Sequence, residues 1–283
     1  MTENRAADEM TTRVAQVWED EVAEKRRFEF LRSLARNKLA AHTIALVALF
    51  GAWEGFVQVS GIRSYLLPTP SAVVMETIDS FSLLVQNAWI TLFESLAGFA
   101  IASVVGIALA ILIVYVPLLR GVIMPYLVAF NAVPKVAFTP LLIIWLGLGL
   151  QSKVALSFLI AFFPIVVNTA SGMYEVEPNL INLTRLMKAK KRQQFLKIRI
   201  PHSLPAMFDG FRIALPIAII GAIVAEFVAS REGLGHLIIA AGVQLNTELV
   251  FAAILVIAVG SIILYALLAW VESKVLRWRP SAR

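Results

Sequence analysis

The chain has 283 residues, of which 59% are hydrophobic and only 16% are charged, and its mean hydropathy is +0.79. A soluble domain carries about 25% charged residues, so this composition excludes an ordinary soluble protein and indicates several membrane helices. The net charge is +6, but the basic residues occupy short segments between apolar runs, which argues against a nucleic-acid-binding surface. The sequence contains no cysteine, which excludes disulfides and thiolate metal sites.

An amphipathic arm is predicted at the start of the chain, over residues 1–38. Val14, Val17, Trp18 and Val22 recur at helical spacing, and a basic stretch follows them. The arm has no apolar core beside a small-residue cleavage site, so it does not match a signal peptide. We expect a cytoplasmic helix that lies on the membrane surface or against a partner protein.

Six apolar runs follow, each at least as long as the roughly 20 residues that span a hydrocarbon core. They lie at roughly 39–60, 86–116, 122–149, 154–173, 207–229 and 249–271. The predicted fold is therefore an all-α integral membrane protein with six transmembrane helices. An even number places both termini on one side, and the Lys and Arg excess in the connections on that side predicts that both termini are cytoplasmic. The predicted transmembrane domain covers 39–273, and a basic cytoplasmic tail covers 274–283.

Prolines and small residues indicate how these helices pack. Each proline inside a run removes a backbone donor, so its helix is predicted to kink, either to border a cavity or to shape packing. Gly98, Ala102 and Gly106 recur at four-residue spacing, which predicts a face that a neighbouring helix approaches closely. The prolines in the third and fourth runs are Pro125, Pro134, Pro140 and Pro164.

Four ionisable residues lie inside the apolar runs: Glu54, Glu94, Lys135 and Glu226. Each costs at least ~2.5–3.5 kcal/mol at the bilayer centre, so it should pair, lie near an interface or face a cavity. One interpretation is a structural pair between Lys135 and one of the carboxylates. The other is a polar lining for an anionic or hydrogen-bonding solute. The residues predicted to line that translocation path are Asn131, Lys135, Asn168, Thr169 and Glu226.

Catalytic motifs are missing from the sequence. There is no GxxxxGK(S/T) element, so the chain lacks the phosphate cradle of a P-loop ATPase. His42, His202 and His236 lack the i, i+4 spacing that presents two imidazoles to one metal, and no GxSxG nucleophile element occurs. We therefore predict that the chain is not an enzyme and binds no cofactor or metal itself.

The longest predicted cytoplasmic connection covers 174–206. Leu183, Leu186 and Phe195 stand at helical spacings, and Pro201 follows them, so two short helices are predicted there. A basic loop bound to anionic lipid is one interpretation. Docking to a soluble protein is favoured, because a loop on the lipid surface does not need a second amphipathic helix followed by Pro-x-x-x-Pro.

This connection resembles the EAA loop of permeases from binding-protein-dependent ABC importers, which runs Glu-Ala-Ala, three residues, Gly, then a short helix ending in Leu-Pro. Asn182, Leu183 and Thr184 occupy the EAA positions, Lys188 stands at the glycine position, and Phe195 keeps the hydrophobic place. The likeness is specific to the aliphatic sulfonate, taurine and nitrate permeases and their relatives for pyrimidine-type vitamin precursors. The residues that carry it lie at 67–70, 134–147, 162–169, 200–214, 225–227 and 233–238.

The resemblance implies the type I ABC importer permease fold in a bacterial inner membrane. It also implies a homodimer or paired permease, two ATPase subunits that bind ATP and Mg, and a periplasmic solute-binding protein. The solute would be an anion of sulfonate, taurine or nitrate type, or a small heterocycle. The alternative, an ion-gradient-driven secondary transporter, would show inverted repeats with paired broken helices. The residues expected to couple to the ATPase are Asn182, Leu183, Thr184, Leu186, Lys188, Ala189, Phe195 and Pro201.

Overall fold

A computed structural model describes residues 38–278, and no strand occurs in that range. The predicted amphipathic helix at the start of the chain and the last five residues of the predicted tail lie outside the described range. A 3₁₀ turn covers Lys135–Phe138 and a π-helical turn covers Phe195–Arg199. The α-helices are α1 Lys38–Ser60, α2 Pro70–Asp79, α3 Phe81–Tyr115, α4 Pro117–Ala132, α5 Thr139–Leu146, α6 Leu150–Tyr174, α7 Pro178–Leu186, α8 Lys191–Gln194, α9 Ile200–Ala229, α10 Leu234–Val243 and α11 Thr247–Val275.

The described residues form two compact units. The first contains α1 and the short segment 69–71, and the second contains the remaining residues from 64 onwards. Within the first unit, the carboxylate of Glu54 accepts hydrogen bonds from the backbone N–H of Ser71 at 3.0 Å and from its hydroxyl at 2.8 Å. Glu54 thereby satisfies an otherwise unpaired donor in the first turn of α2, which accounts for one charge inside an apolar run.

Five stretches of the described chain are long and apolar enough to span a membrane: Thr43–Ser60, Phe81–Tyr115, Leu150–Tyr174, Lys191–Val228 and Thr247–Val275. The predicted third span is broken, because Leu118–Ala132 and Lys135–Leu146 meet at 86°. Counting that bent pair as one span gives the six that the sequence predicts. Val133 is extended at the break, as expected of a residue that precedes a proline, since Pro134 disfavours helix there.

The core of the second unit is the crossing of α3, α6 and α9. The small-residue face predicted on α3 is confirmed: Gly98, Ala102 and Gly106 are all buried. A Cβ atom on Gly98 would lie 2.5 Å from Ser157 Cβ, and one on Gly106 would lie 3.0 Å from Ile165 Cγ2. Such spacing lets the backbones of α3 and α6 approach closely.

Ser157 marks the point where the three helices meet. Its hydroxyl donates a hydrogen bond to the Ala218 carbonyl of α9 at 2.8 Å, and it lies 3.4 Å from the Ser95 carbonyl of α3. A Cβ atom on Gly221 would lie 2.9 Å from Ser157 Cα. Because that neighbour is a backbone atom, it cannot rotate away from an added side chain. The close approach of α6 and α9 therefore requires glycine at residue 221.

We predict that Gly221→Ala destabilises the protein by about 1–3 kcal/mol, because the added methyl group forces α6 and α9 apart. Thermal unfolding of the purified protein in detergent measures the effect. Gly121→Ala is the matched control, since a Cβ at Gly121 of α4 meets nothing within 4 Å. Equal unfolding temperatures for the two variants would contradict the assigned crossing.

Candidate functional site

The predicted coupling connection contains the two expected short helices, α7 and α8, and continues through a π-helical turn into α9. Lys188, at the glycine position, has φ of +54°. The Lys188 N–H bonds to the Arg185 carbonyl at 2.9 Å, and the Ala189 N–H bonds to the Thr184 carbonyl at 3.0 Å. This pair of bonds is a Schellman motif, which ends a helix with a left-handed residue. The turn that a glycine favours is therefore built here around a lysine, at a cost of about 1–2 kcal/mol.

The α7 helix has one buried face and one exposed face. Ile181 and Thr184 are buried against the rest of the unit, while Leu183 is 53% exposed and Leu186 is 81% exposed. Met187, which follows the helix, is 74% exposed. The exposed side thus carries large apolar side chains beside the exposed polar residue Arg185, and these side chains contribute little to the packing of the described chain. Asn182 is also exposed, Ala189 is half-buried in the turn, and Pro201 is half-buried in the first turn of α9.

The base of this segment is anchored on the transmembrane helices. Phe195 is buried in a cluster with Ile113 of α3 and Met173 of α6, and its ring meets the Tyr115 ring edge-on at a centroid distance of 5.5 Å. Arg199 donates a hydrogen bond to the Met173 carbonyl at 3.1 Å, in the last turn of α6. A displacement of the π-helical turn would therefore be passed to α3 and α6.

Lys135 lies at the break between α4 and α5, where it is half-buried. Its ammonium group donates to the Asn131 side-chain oxygen at 2.7 Å and to the Asn131 carbonyl at 3.1 Å, which satisfies a carbonyl in the last turn of α4. The ammonium also lies 5.9 Å from the Phe163 ring centroid. The structure thus brings two of the predicted path residues together, beside the exposed residues Val133 and Pro134.

The other three predicted path residues lie elsewhere. Asn168 of α6 is half-buried and donates to the Pro164 carbonyl at 2.8 Å. Thr169 is fully buried, and Glu226 of α9 is 1% exposed, so neither borders an open surface of the single chain. The five residues do not form one continuous lining in this arrangement.

The structural pair proposed for Lys135 is wrong, because Lys153 occupies that role. Lys153 forms a salt bridge with Glu94 and donates to the Ser230 hydroxyl at 3.0 Å. Helix α6 begins at Leu150, so Lys153 lies in its first turn. The fourth predicted run begins at residue 154, so the sequence analysis did not count Lys153 among the charges inside the runs. Its position one residue before that run was the available signal.

Glu226 holds the turn between α9 and α10. Its carboxyl oxygens accept from the Thr91 hydroxyl at 2.7 Å and from the Gly235 N–H at 2.6 Å. Thr91 in turn accepts from the Leu234 N–H at 2.8 Å. A Cβ atom on Gly235 would lie 2.7 Å from the Ile223 carbonyl oxygen, so only glycine fits there. These bonds satisfy the first N–H groups of α10.

The residues Glu94, Lys153 and Glu226, with their partners Thr91 and Ser230, are called the polar cluster below. The cluster joins α3, α6 and α9 to the turn before α10 through side-chain bonds between helices distant in sequence. These bonds hold the charged side chains in place and link the three helices to one another. Within the described range 38–278, no group of three or more His, Asp or Glu side chains could hold a metal ion.

Comparison with known proteins shows that this chain is similar to transport permeases. A family model described as "Binding-protein-dependent transport system inner membrane component" matches residues 102–277, which is more than half of the chain. The chain is 36% identical to the formylaminopyrimidine transport permease protein ThiX of Halalkalibacterium halodurans, over 84% of this chain and 95% of the relative. It is 35% identical to the riboflavin transport system permease protein RibX of Chloroflexus aurantiacus, over 89% and 95%.

A further relative and a solved structure agree with these matches. The putative aliphatic sulfonates transport permease protein SsuC of Bacillus subtilis is 32% identical, over 82% of this chain and 85% of the relative. The inward-facing MetNI methionine ABC transporter contains a chain that superposes with a TM-score of 0.59 at 21% identity, over 70% of this chain and 97% of that chain. That likeness shows a shared fold.

We predict that Lys153→Met destabilises the protein by about 3–5 kcal/mol, because it leaves the Glu94 carboxylate buried without its cation. Adding Glu94→Gln should restore most of the loss. Thermal unfolding of the single and double variants measures both effects. Lys135→Met is the matched control and should change stability by less than about 1 kcal/mol, since Lys135 is half-exposed and bonds to Asn131 rather than to a carboxylate. A double variant no more stable than Lys153→Met would refute the pairing.

Proposed function

This chain belongs to the family of binding-protein-dependent transport system inner membrane components, and on that premise we propose that it forms the solute path of an ATP-binding cassette importer. It is a multi-pass membrane protein and a permease component. In the proposed complex, the chain pairs with an identical or related permease. Two separate ATPase subunits bind ATP and Mg and perform the hydrolysis, and a periplasmic solute-binding protein delivers the solute.

The main support for this proposal comes from the structure of one segment, formed by α7, its Schellman turn and α8, which we call the coupling segment. Its exposed face is apolar at Leu183, Leu186 and Met187, and an exposed apolar face on a connection between spans favours a protein partner. Its base is fixed to α3 and α6 by Phe195 and Arg199. A rigid segment with a free apolar face suits the transfer of a subunit motion into the membrane helices.

The proposed orientation places both termini and the coupling segment in the cytoplasm of a bacterial cell, at its inner membrane, because Lys and Arg are concentrated on that side. Inward and outward openings of the path then alternate as the ATPase pair closes and separates. The chain transmits this work through α6 and α9, which both meet the coupling segment at one end.

The proposed solute is a small anion of sulfonate, taurine or nitrate type, or a small heterocycle. The relatives named for formylaminopyrimidine, riboflavin and aliphatic sulfonates support this range. Lys135 and Asn131 at the broken span supply a cation and an amide on a surface that the described chain leaves partly open. We propose that these two residues border the path where two permeases meet.

We predict that Leu186→Cys, labelled with benzophenone maleimide, photocrosslinks to the ATPase subunit in the assembled, transport-active complex. The sequence contains no other cysteine, so the label has one position within this chain. Ile181→Cys is the matched control, because Ile181 lies on the buried face of the same helix and should give no ATPase product. Crosslinking of Leu186→Cys to lipid alone would show that the segment lies on the membrane surface and does not dock.

We predict that Lys135→Met assembles with the ATPase and keeps basal ATP hydrolysis but lowers solute uptake at least about tenfold, as loss of a charged hydrogen-bonding group would. Uptake into proteoliposomes, compared with ATP hydrolysis in the same sample, separates the two activities. Lys274→Met is the control, since Lys274 lies in the last turn of α11, far in the sequence from the broken span, with its ammonium group 5.6 Å from the Trp270 ring centroid. If Lys135→Met takes up solute at the wild-type rate, the proposal that Lys135 borders the path is wrong.

A further inference from the structure

Two buried carboxyl groups meet inside the polar cluster. Glu94 of α3 and Glu226 of α9 are each 1% exposed. The Glu226 carboxyl accepts a hydrogen bond from the hydroxyl of Thr91, and Thr91 lies one turn before Glu94 on the same face of α3. The Glu226 carboxyl lies within hydrogen-bonding reach of the Glu94 carboxyl. Two groups that ordinarily accept hydrogen bonds thus face each other away from solvent.

The hydrogen bonds around the pair leave the contact between the two carboxyl groups without a donor. The Glu226 oxygens accept from the Thr91 hydroxyl and from the Gly235 N–H. Glu94 Oε1 pairs with Lys153, and no N–H or O–H group of the described residues 38–278 donates to Glu94 Oε2. An ionised carboxylate only accepts, so a hydrogen bond between Glu94 and Glu226 requires a proton on one of them. The protonated group keeps acceptor capacity, so the bonds to Thr91 and Gly235 are retained.

The charges of the pair also balance only when it holds one proton. In the described structure one cation, the ammonium group of Lys153, pairs with these carboxyl groups. With both carboxyl groups ionised, the three side chains have a formal charge of −1, and with one proton added the charge is zero. A buried charge without a counter-charge is strongly unfavourable, and two carboxyl groups in contact favour the retention of one proton. The geometry therefore favours a pair that carries a single proton.

A cavity connects the pair with solvent. Its volume is about 730 Å³, and its lining includes Glu94 and Lys153 together with the exposed residues Leu148 and Arg231. Glu226 is not part of that lining. Glu94 is therefore the member of the pair through which a proton exchanges with solvent water. On release, the proton passes from the pair to water, and both carboxyl groups are left ionised beside Lys153.

We propose that Glu94 and Glu226 form a proton-binding site, which holds one proton between their carboxyl groups and ties α3 to the start of α10 while it is occupied. The occupied site keeps Glu226 against α3, where its carboxyl group also bonds to Thr91 and to the Gly235 N–H. In the empty site two carboxylates repel each other, which draws Glu226 away from α3 and weakens both bonds. The site lies near the start of α6, whereas the coupling segment follows the last turn of that helix.

Other titratable groups lie around the pair. Arg231 and Glu232, in the turn after α9, are exposed, so solvent screens their charges. Glu248, in the first turn of α11, is half-buried. His236 of α10 is half-buried and follows Gly235 directly, so its titration must be separated from that of the pair. A variant that removes the His236 imidazole therefore belongs in the test.

The test records infrared spectra of the purified full-length protein in H₂O and in D₂O. At about pH 7 a solvated glutamate, with its ordinary pKa of about 4.3, is almost fully ionised, so the C=O stretching band of a protonated carboxyl group reports a retained proton. We expect the wild type to show this band, with a shift in D₂O. Glu94→Gln should lose it, because the glutamine amide donates to Glu226 without a titratable proton. Glu272→Gln is the matched control and should keep the band, since Glu272 is half-buried and pairs with Arg212.

Hydrogen–deuterium exchange tests whether the proton holds the start of α10. The pH of the wild-type protein is raised until the infrared band disappears, and exchange is measured over residues 233–238. The N–H groups of Leu234 and Gly235 bond to the Thr91 hydroxyl and to Glu226. They should then exchange at least about tenfold faster than in Glu94→Gln at the same pH, as the loss of a hydrogen bond to a charged group allows. At neutral pH the two proteins should exchange equally, and the high-pH difference should persist when both also carry His236→Gln.

A wild-type spectrum without the band at neutral pH would by itself overturn the site, whether or not the variants fold. A band that survives in Glu94→Gln would also overturn it, since the proton would then belong to another group. If Glu94→Gln does not fold, Glu226→Gln provides the same infrared comparison. Equal exchange over residues 233–238 with and without the proton would contradict the tie between α3 and α10. No solute or ATPase takes part in these measurements, so their outcome leaves the proposed function unaffected.

Discussion

The close crossing of α3, α6 and α9 is the constraint on which the rest of the structure depends. Gly98 and Gly221 bring two backbones against Ser157, and the serine hydroxyl bonds across to α9. Within lipid, apolar side chains gain nothing from leaving water, so close packing and interhelical hydrogen bonds must hold helices together. Two of the regions described above lie toward opposite ends of these three helices. The polar cluster is near one end, and the coupling segment is at the other.

The four charged groups inside the apolar runs are accommodated in four different ways. Glu54 bonds to the start of a neighbouring helix, Glu94 pairs with Lys153, and Glu226 bonds to a hydroxyl and to the backbone of a turn. Lys135 instead bonds to the end of its own broken helix. A charge in lipid is expensive wherever it is unpaired, so each site has a local partner. Glu54 and Lys135 stay partly exposed, whereas Glu94 and Glu226 are buried.

The coupling segment and the polar cluster are linked by continuous helices. Helix α6 starts at the cluster and ends at the Arg199 hydrogen bond, and α9 runs from the coupling segment to Glu226. The two helices thus connect the segment that contains α7 with the polar cluster. The Glu226 carboxyl group ties the start of α10 to α9, because it accepts a hydrogen bond from the Gly235 N–H.

The sequence by itself determined the membrane class, the number of spans, the small-residue face of α3 and the helical coupling connection, because these depend on run length, periodicity and local turn chemistry. It also predicted kinks at four prolines, and one of them, Pro134, lies at the break, since proline disfavours helix at the residue before it. Which charges pair was decided only by the tertiary structure. Lys153 and Glu94 lie far apart in sequence and on different helices. The sequence pattern of neither helix predicts how each helix is rotated about its own axis, and that rotation decides which side chains face each other. That rotation follows from how α3, α6 and α9 interlock at their glycines, so the burial of Glu226 and Thr169 could be known only after the helices were packed.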